Sequence, residues 1–233
     1  MLKAVLFDMD GVLFDSMPAH AECWVSACRT YGLRVTEREV YMNEGRTAAS
    51  TLALFTRVQW GRVVTEPEVK EIYAEKCRLF NSWPEAPKMT GAEALLRQVR
   101  DAGLTIAVVT GSGQDSLLER LERHYSGFFR PELIVSSHDC LRGKPHPDPY
   151  LLGLERAGVT AQEAIVVENA PLGVKAARAA GIFTVAVNTG PLPDQVLLDA
   201  GAGRLYPSMQ AFADAWLSFL QSYTDARQPG AGT

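Results

Sequence analysis

The feature that most narrows the fold is a short apolar run, Ala4-Val5-Leu6-Phe7, that breaks into Asp8-Met9-Asp10-Gly11. An uninterrupted apolar run of this length reads as a strand buried on both faces. Side chains at i and i+2 of an extended segment share a face, so Asp8 and Asp10 converge where the strand ends. Gly11 permits the sharp departure that follows. Two carboxylates this close are costly to bury unless a cation or a positive group offsets them. A hard divalent cation, Mg²⁺, meets that need, with one carboxylate as nucleophile and the other as acid/base. The rival is a hydrated polar turn without chemistry. Other strands ending in matching groups would weigh against it.

Downstream, strands alternate with helices. Apolar runs at residues 104–109, 133–135, 164–167 and 183–187 predict strands, with a short edge strand at 204–206. Thr90 and Glu93 have capping-box spacing and predict a helix running to Asp101. Further helices are expected at 114–125, before Gly158, up to Gly181 and after Ser208. This alternation predicts an α/β doubly wound parallel sheet, whose ligands bind at the carboxyl ends of the strands. Asp8, Thr110 and Glu168 each close a different strand, and Lys144 follows another. Thr110 and Ser112, with Gly111 between them, offer hydroxyls beside a glycine-rich turn entering a helix, a phosphate cradle. Lys144 can neutralise phosphate and nucleophile together. A dinucleotide motif at the turn lacks its third glycine, because Ser116 stands there.

Residues 16–83 differ in kind. Ser16 is a candidate N-cap and Pro18 suits a first helical turn. Met17, Ala21, Trp24, Val25 and Cys28 form a helical stripe, and residues 36–42, 47–60 and 66–80 continue in helical patterns. Pro84 and Pro87 mark the return. The chain is 233 residues long, so a core of residues 1–15 and 84–233 with an all-helical cap of 16–83 is expected. The last residues, 223–233, are expected to fray. His20 lies on the apolar stripe, where a satisfied core histidine rivals a functional one. Lys76 sits on a charged stretch that would ordinarily face solvent, and Glu44 has Arg46 as a simple loop partner.

A net charge of -4 gives no reason to expect nucleic acid or an anionic membrane as partner. Asp8 cuts the N-terminal apolar run too early for a signal peptide or a membrane span, so a cytoplasmic location is expected. A monomer is expected as well. The four cysteines show neither a CxxC pair nor zinc-ligand spacing.

Taken together, Asp8-Met9-Asp10-Gly11, the Thr110 turn, Lys144, Glu168-Asn169 and the helical insertion resemble the haloacid dehalogenase-like phosphotransferase superfamily over nearly the whole chain. The resemblance implies Asp8 as nucleophile forming an aspartyl-phosphate, and Asp10 as acid/base. It also implies Thr110, Lys144, Gly111 and Ser112 around the phosphoryl group, with Mg²⁺ on Asp8, Asp10, Glu168 and Asn169. The insertion, with His20, Lys76 and Glu44-Gly45-Arg46, resembles the β-phosphoglucomutase-like branch and implies His20, Arg46 and Lys76 as substrate contacts. That branch usually carries Glu-Asp where this chain has Glu168-Asn169. Glu44 stands where a further metal ligand could restore the missing charge. A cap tied down in this way would leave a small cavity, favouring pyrophosphate over a hexose phosphate. Glu44-Gly45-Arg46-Thr47 and the stretch Glu168-Asn169-Ala170-Pro171-Leu172-Gly173 are also similar to a bacterial inorganic pyrophosphatase subgroup. The expectation is an Mg²⁺-dependent hydrolase of inorganic pyrophosphate. The alternatives are β-phosphoglucomutase or a sugar-phosphate phosphatase and, in another class, a non-catalytic sensor of phosphate ligands.

Overall fold

In the computed structural model, which describes residues 1–113 and 117–226, the opening apolar run is strand β1 (Ala4–Phe7), buried at every position. Val5 and Phe7 enter one apolar layer with Leu95, Phe212 and Trp216. Ala4 and Leu6 enter the opposite layer with Tyr150, Val166 and Ala177. Both faces are therefore dry, which is why the strand stays apolar until its last turn.

Four helices follow at once: α1 (Met17–Thr30), α2 (Glu37–Met42), α3 (Ala48–Gln59) and α4 (Glu66–Asn81). Thr36 and Glu39 close a capping box on α2, each side chain accepting from the other's backbone N–H, and Thr47 caps α3 by accepting from Ser50 N. These helices enclose their own apolar cluster, including Met17, Cys28, Leu52, Phe55 and Ile72. The chain enters and leaves this block through two segments that pair with each other, Asp15 N donating to Pro87 O at 3.0 Å and Met89 N to Leu13 O at 2.8 Å.

The sheet is completed by β2 (Thr105–Val109), β3 (Ile134–Val135), β4 (Ala164–Glu168), β5 (Phe183–Val187) and β6 (Arg204–Tyr206). All pairings are parallel in the order β3-β2-β1-β4-β5-β6, the doubly wound arrangement expected from the alternation. The direction of winding reverses between β1 and β4, so a ligand crevice opens at their carboxyl ends. Phe7 pairs with Val167, which sets Asp8 beside Glu168.

The covering helices are α5 (Ala92–Asp101), α6 (Leu117–His124), α7 (Asp148–Ala157), α8 (Pro171–Ala179), α9 (Asp194–Ala200) and α10 (Met209–Asp225). Three local expectations need correcting. The capping box at Thr90 is absent: Gly91 is the N-cap, and Glu93 pairs instead with Lys88 and Arg97. Gly91 has φ +90°, and a β-carbon there would sit 2.4 Å from Gln210 Cα, so α10 dictates the entry to α5. The helix expected from residue 114 is described from Leu117, and residues 114–116, with Ser116, lie outside the described residues. The expected fraying from 223 is displaced, because α10 runs to Asp225; residues 227–233 lie outside the described residues. Among the described residues, no helix is long and apolar enough to cross a membrane.

Candidate active site

Lys144 reaches the end of β1 from the loop after β3, and its Nζ donates to Asp8 Oδ1 at 2.5 Å, Glu168 Oε1 at 2.7 Å and Val109 O at 3.0 Å. All three ionisable side chains are buried. Glu168 is further fixed by Tyr150 Oη at 2.9 Å and by the N–H groups of Asn169 and Ala170 on its other oxygen. Burial pushes the Asp8 carboxyl up to about 8, the Glu168 and Asp10 charges adding to the rise while Lys144 opposes it. Burial alone would lower Lys144, but Asp8 and Glu168 outweigh it and hold the ammonium well above the lysine range.

Asp10 is held differently. Ser16 Oγ donates to Asp10 Oδ1 at 2.5 Å, and His20 Nε2 lies 3.3 Å from the same oxygen. Ser16 occupies the N-cap position of α1, as expected, but its hydroxyl serves Asp10 rather than the helix. Burial would raise Asp10, yet His20, Ser16 and Arg120 together hold its carboxyl well below the usual range. His20 Nδ1 lies 2.8 Å from Lys76 Nζ, and the ring stacks on Phe80 at 4.2 Å. Lys76 is buried rather than solvated, its ammonium 4.6 Å from the Phe80 ring centroid and near Trp24 and Tyr73. Burial accordingly lowers its pKa. His20 thus meets Asp10 directly, and Lys76 reaches it only through His20.

Glu44 does not pair with Arg46, which instead bonds Asn43 Oδ1 and Ser50 Oγ. Both Glu44 oxygens accept from Asn169 Nδ2 at 3.3 Å. Burial, followed by the Asp8 and Glu168 charges, pushes the Glu44 carboxyl well up. Asn169 Oδ1 is buried and has no hydrogen-bond partner among the described residues. An orphaned amide oxygen beside an excess of buried carboxylates fits a hard cation. Among the described residues, no three or more His, Cys, Asp or Glu side chains close on one point. A mixed set of one or two carboxylates, an amide oxygen and a backbone carbonyl suits Mg²⁺, which keeps several of its waters.

Thr110 closes β2 and accepts from Ser112 N at 3.0 Å. Asp8, Asp10, His20, Glu44, Arg46, Lys76, Thr110, Gly111, Ser112 and Glu168 all line one cleft, part of it open to solvent. Met17, Trp24, Val40 and Tyr73 give the cap side of the cleft an apolar and aromatic wall.

Sequence reasoning missed several groups. Tyr150 and Arg120 carry no motif. The Arg120 guanidinium lies 3.9 Å over the Phe14 ring, and its buried Nε and Nη2 have no hydrogen-bond partner among the described residues. Glycines make the close approaches: a β-carbon at Gly173 would fall 1.6 Å from Glu168 Oε1, and one at Gly45 (φ +87°) 2.8 Å from Lys144 Cδ. Their spacing is the only signal that could have marked them.

The family model for haloacid dehalogenase-like hydrolases matches residues 5–187. The chain is 36% identical over 190 residues to hexitol phosphatase A of Escherichia coli, across 80% of this chain and 83% of that protein. It is 32% identical over 204 residues to a phosphorylated carbohydrates phosphatase of Thermotoga maritima, across 86% of this chain and 92% of that one. Among solved structures it matches a "putative beta-phosphoglucomutase" of Bacteroides vulgatus with a TM-score of 0.92 and 51% identity, covering 95% of this chain and 90% of the other.

Proposed function

The chain belongs to the haloacid dehalogenase-like hydrolase family, and from that premise we propose that it hydrolyses phosphorylated carbohydrates through an aspartyl-phosphate on Asp8. The observation that carries the reading is Asp8 held at 2.5 Å by Lys144 beside a cleft that Asp8 itself lines with Asp10, His20, Thr110 and Ser112.

In the first half-reaction an Asp8 carboxylate oxygen attacks phosphorus, and the bond from phosphorus to the ester oxygen breaks. Asp10 supplies the proton that the leaving alcohol takes. Ser16 and His20 aim Asp10 at that oxygen, and the proton it gives up is the one it regains from water in the second half-reaction. In the second half-reaction ionised Asp10 takes a proton from water, which attacks the acyl phosphate and frees orthophosphate and Asp8. The low pKa of Asp10 suits this second role. Lys144, Thr110 and Ser112 hold the phosphoryl oxygens throughout. Asp8, the Asp10 carbonyl, Asn169 Oδ1 and the Glu44 or Glu168 carboxylates would hold Mg²⁺, which when bound offsets charge between nucleophile and phosphoryl oxygens.

Pyrophosphate, the first expectation from sequence, becomes the second reading. Its support is the contact of Glu44 with Asn169, which brings the cap loop down onto the core. The carbohydrate phosphatases among the relatives weigh against it. Orthophosphate release from hexitol, hexose and glycerol phosphates and from pyrophosphate, each with Mg²⁺, decides between the two. A higher kcat/KM for a sugar phosphate supports the proposal, and a higher value for pyrophosphate reverses it.

A further inference from the structure

The loop after β5 touches both halves of the molecule. Asn188 roots it, Nδ2 donating to Leu192 O at 2.9 Å and Asp194 Oδ1 at 2.6 Å, while its own N–H reaches Tyr206 O. Thr189 Oγ donates to Gly11 O at 2.6 Å, on the carbonyl next to Asp10. Three residues on, Leu192 is buried in the apolar cluster of the helical insertion with Leu33, Val40 and Tyr41, and Val196 at the start of α9 packs against it. Gly190 lies under the Tyr41 ring so closely that a β-carbon would come within 3.3 Å of it.

These contacts close a ring. Tyr41 ends the α2 turn that leads into Glu44, whose N–H points to Tyr41 O. Glu44 meets Asn169, and Asn169 abuts Gly11, where a β-carbon would fall 2.0 Å from Nδ2. Gly11 returns to Thr189. The helical insertion is thus gripped through its two chain connections and, on the far side of the cleft, through a loop that belongs to the sheet. A cap that swings open must draw Leu192 out of its core, exposing apolar surface.

We propose that the 188–192 loop sets the register of the insertion on the sheet, Thr189 and Leu192 being positioning residues that hold Glu44 over Asn169 and limit the size of substrate the cleft admits. The size limit rests on the phosphohydrolase reading above; the register does not. Neither residue lines the cleft; Leu192 reaches it only through the cap, and Thr189 through the cap and Gly11, which is why hydrogen exchange at 40–46 is the first readout.

The test uses the full chain and the variants Thr189→Val, which keeps size and removes one hydrogen bond, and Leu192→Ser. Amide hydrogen exchange followed by mass spectrometry reads residues 40–46, with β1 and β4 as internal controls. Both variants are expected to exchange faster at 40–46 and unchanged in β1 and β4. Steady-state kinetics with glycerol phosphate and a hexitol phosphate give the second readout. KM for glycerol phosphate should rise roughly tenfold, the scale of a lost apolar contact, with kcat moving less, and kcat/KM should shift towards the larger substrate. Wild-type exchange at 40–46 in Thr189→Val overturns the proposal, whatever happens to Leu192→Ser. If no phosphate ester is turned over by any form, the functional reading falls, and the exchange data still decide the role of the loop.

Discussion

Asn169 gives its amide nitrogen to Glu44 at 3.3 Å and keeps its amide oxygen buried and unpartnered, at the point where the helical insertion meets the sheet. An amide can face a carboxylate in this way, whereas a second carboxylate would repel it. Glu44 and Asn169 therefore read as one unit, the charge missing from one side of the cleft supplied from the other.

That pairing predicts the behaviour of the metal. Glu44→Ala should weaken Mg²⁺ roughly 10–100-fold, the scale of losing a ligand or its orienting partner, and lower turnover at fixed Mg²⁺. Calorimetric titration of Mg²⁺ checks it. An unchanged titration would return Glu44 to a loop carboxylate.

Lys144 predicts a stability effect separate from catalysis. Lys144→Met leaves Asp8 and Glu168 buried without their shared cation. Breaking such a pair costs about 3–5 kcal/mol, and adding Glu168→Gln should recover part of the loss. Urea unfolding measures both, and a double variant no better than the single would contradict the shared role.

Arg120 predicts the opposite outcome. Its guanidinium gains a cation–π contact with Phe14, but among the described residues two of its buried nitrogens have no hydrogen-bond partner. Arg120→Met keeps the packing and removes the unmet donors, so unfolding free energy should stay within about 1 kcal/mol of wild type. A larger loss would reveal a partner for the guanidinium.

Two exposed carboxylates predict part of the acid limb of stability. Glu68 is held down to about 2 chiefly by Arg62 and the Thr65 N–H, and Glu163 to about 2 chiefly by Lys3 and the Thr160 N–H. A depressed folded-state pKa contributes stability that is complete above the ordinary value of 4.5 and is lost as pH falls towards 2. Glu68→Gln and Glu163→Gln should each flatten the fall in Tm across that window and leave its slope above pH 6 unchanged.

Strand positions and the residues that close them were legible because apolar runs buried on both faces leave polar groups only at their ends, as Phe7-Asp8 and Val109-Thr110 do. Sequence could not show which of two local roles a side chain takes. Ser16 before a proline-bearing helix looks like a cap, and Asp10 claims its hydroxyl. Thr90 and Glu93 have capping spacing, and a contact from Gln210, distant in sequence, sets the helix entry. Lys76 sits among charged residues, and only the packing of α1 on α4 reveals that it is buried beside His20. Which cap residues line the cleft depends on how the insertion rests on the sheet, which no local pattern encodes.

The central claim is that phosphate passes through Asp8. Rapid quenching during turnover of a hexitol phosphate, with reductive trapping of acyl phosphates and peptide mapping of residues 1–16, tests it directly. The account predicts trapped label at Asp8, none in Asp8→Asn, and turnover abolished in that variant. Full turnover by Asp8→Asn, or label on any other residue, would contradict it.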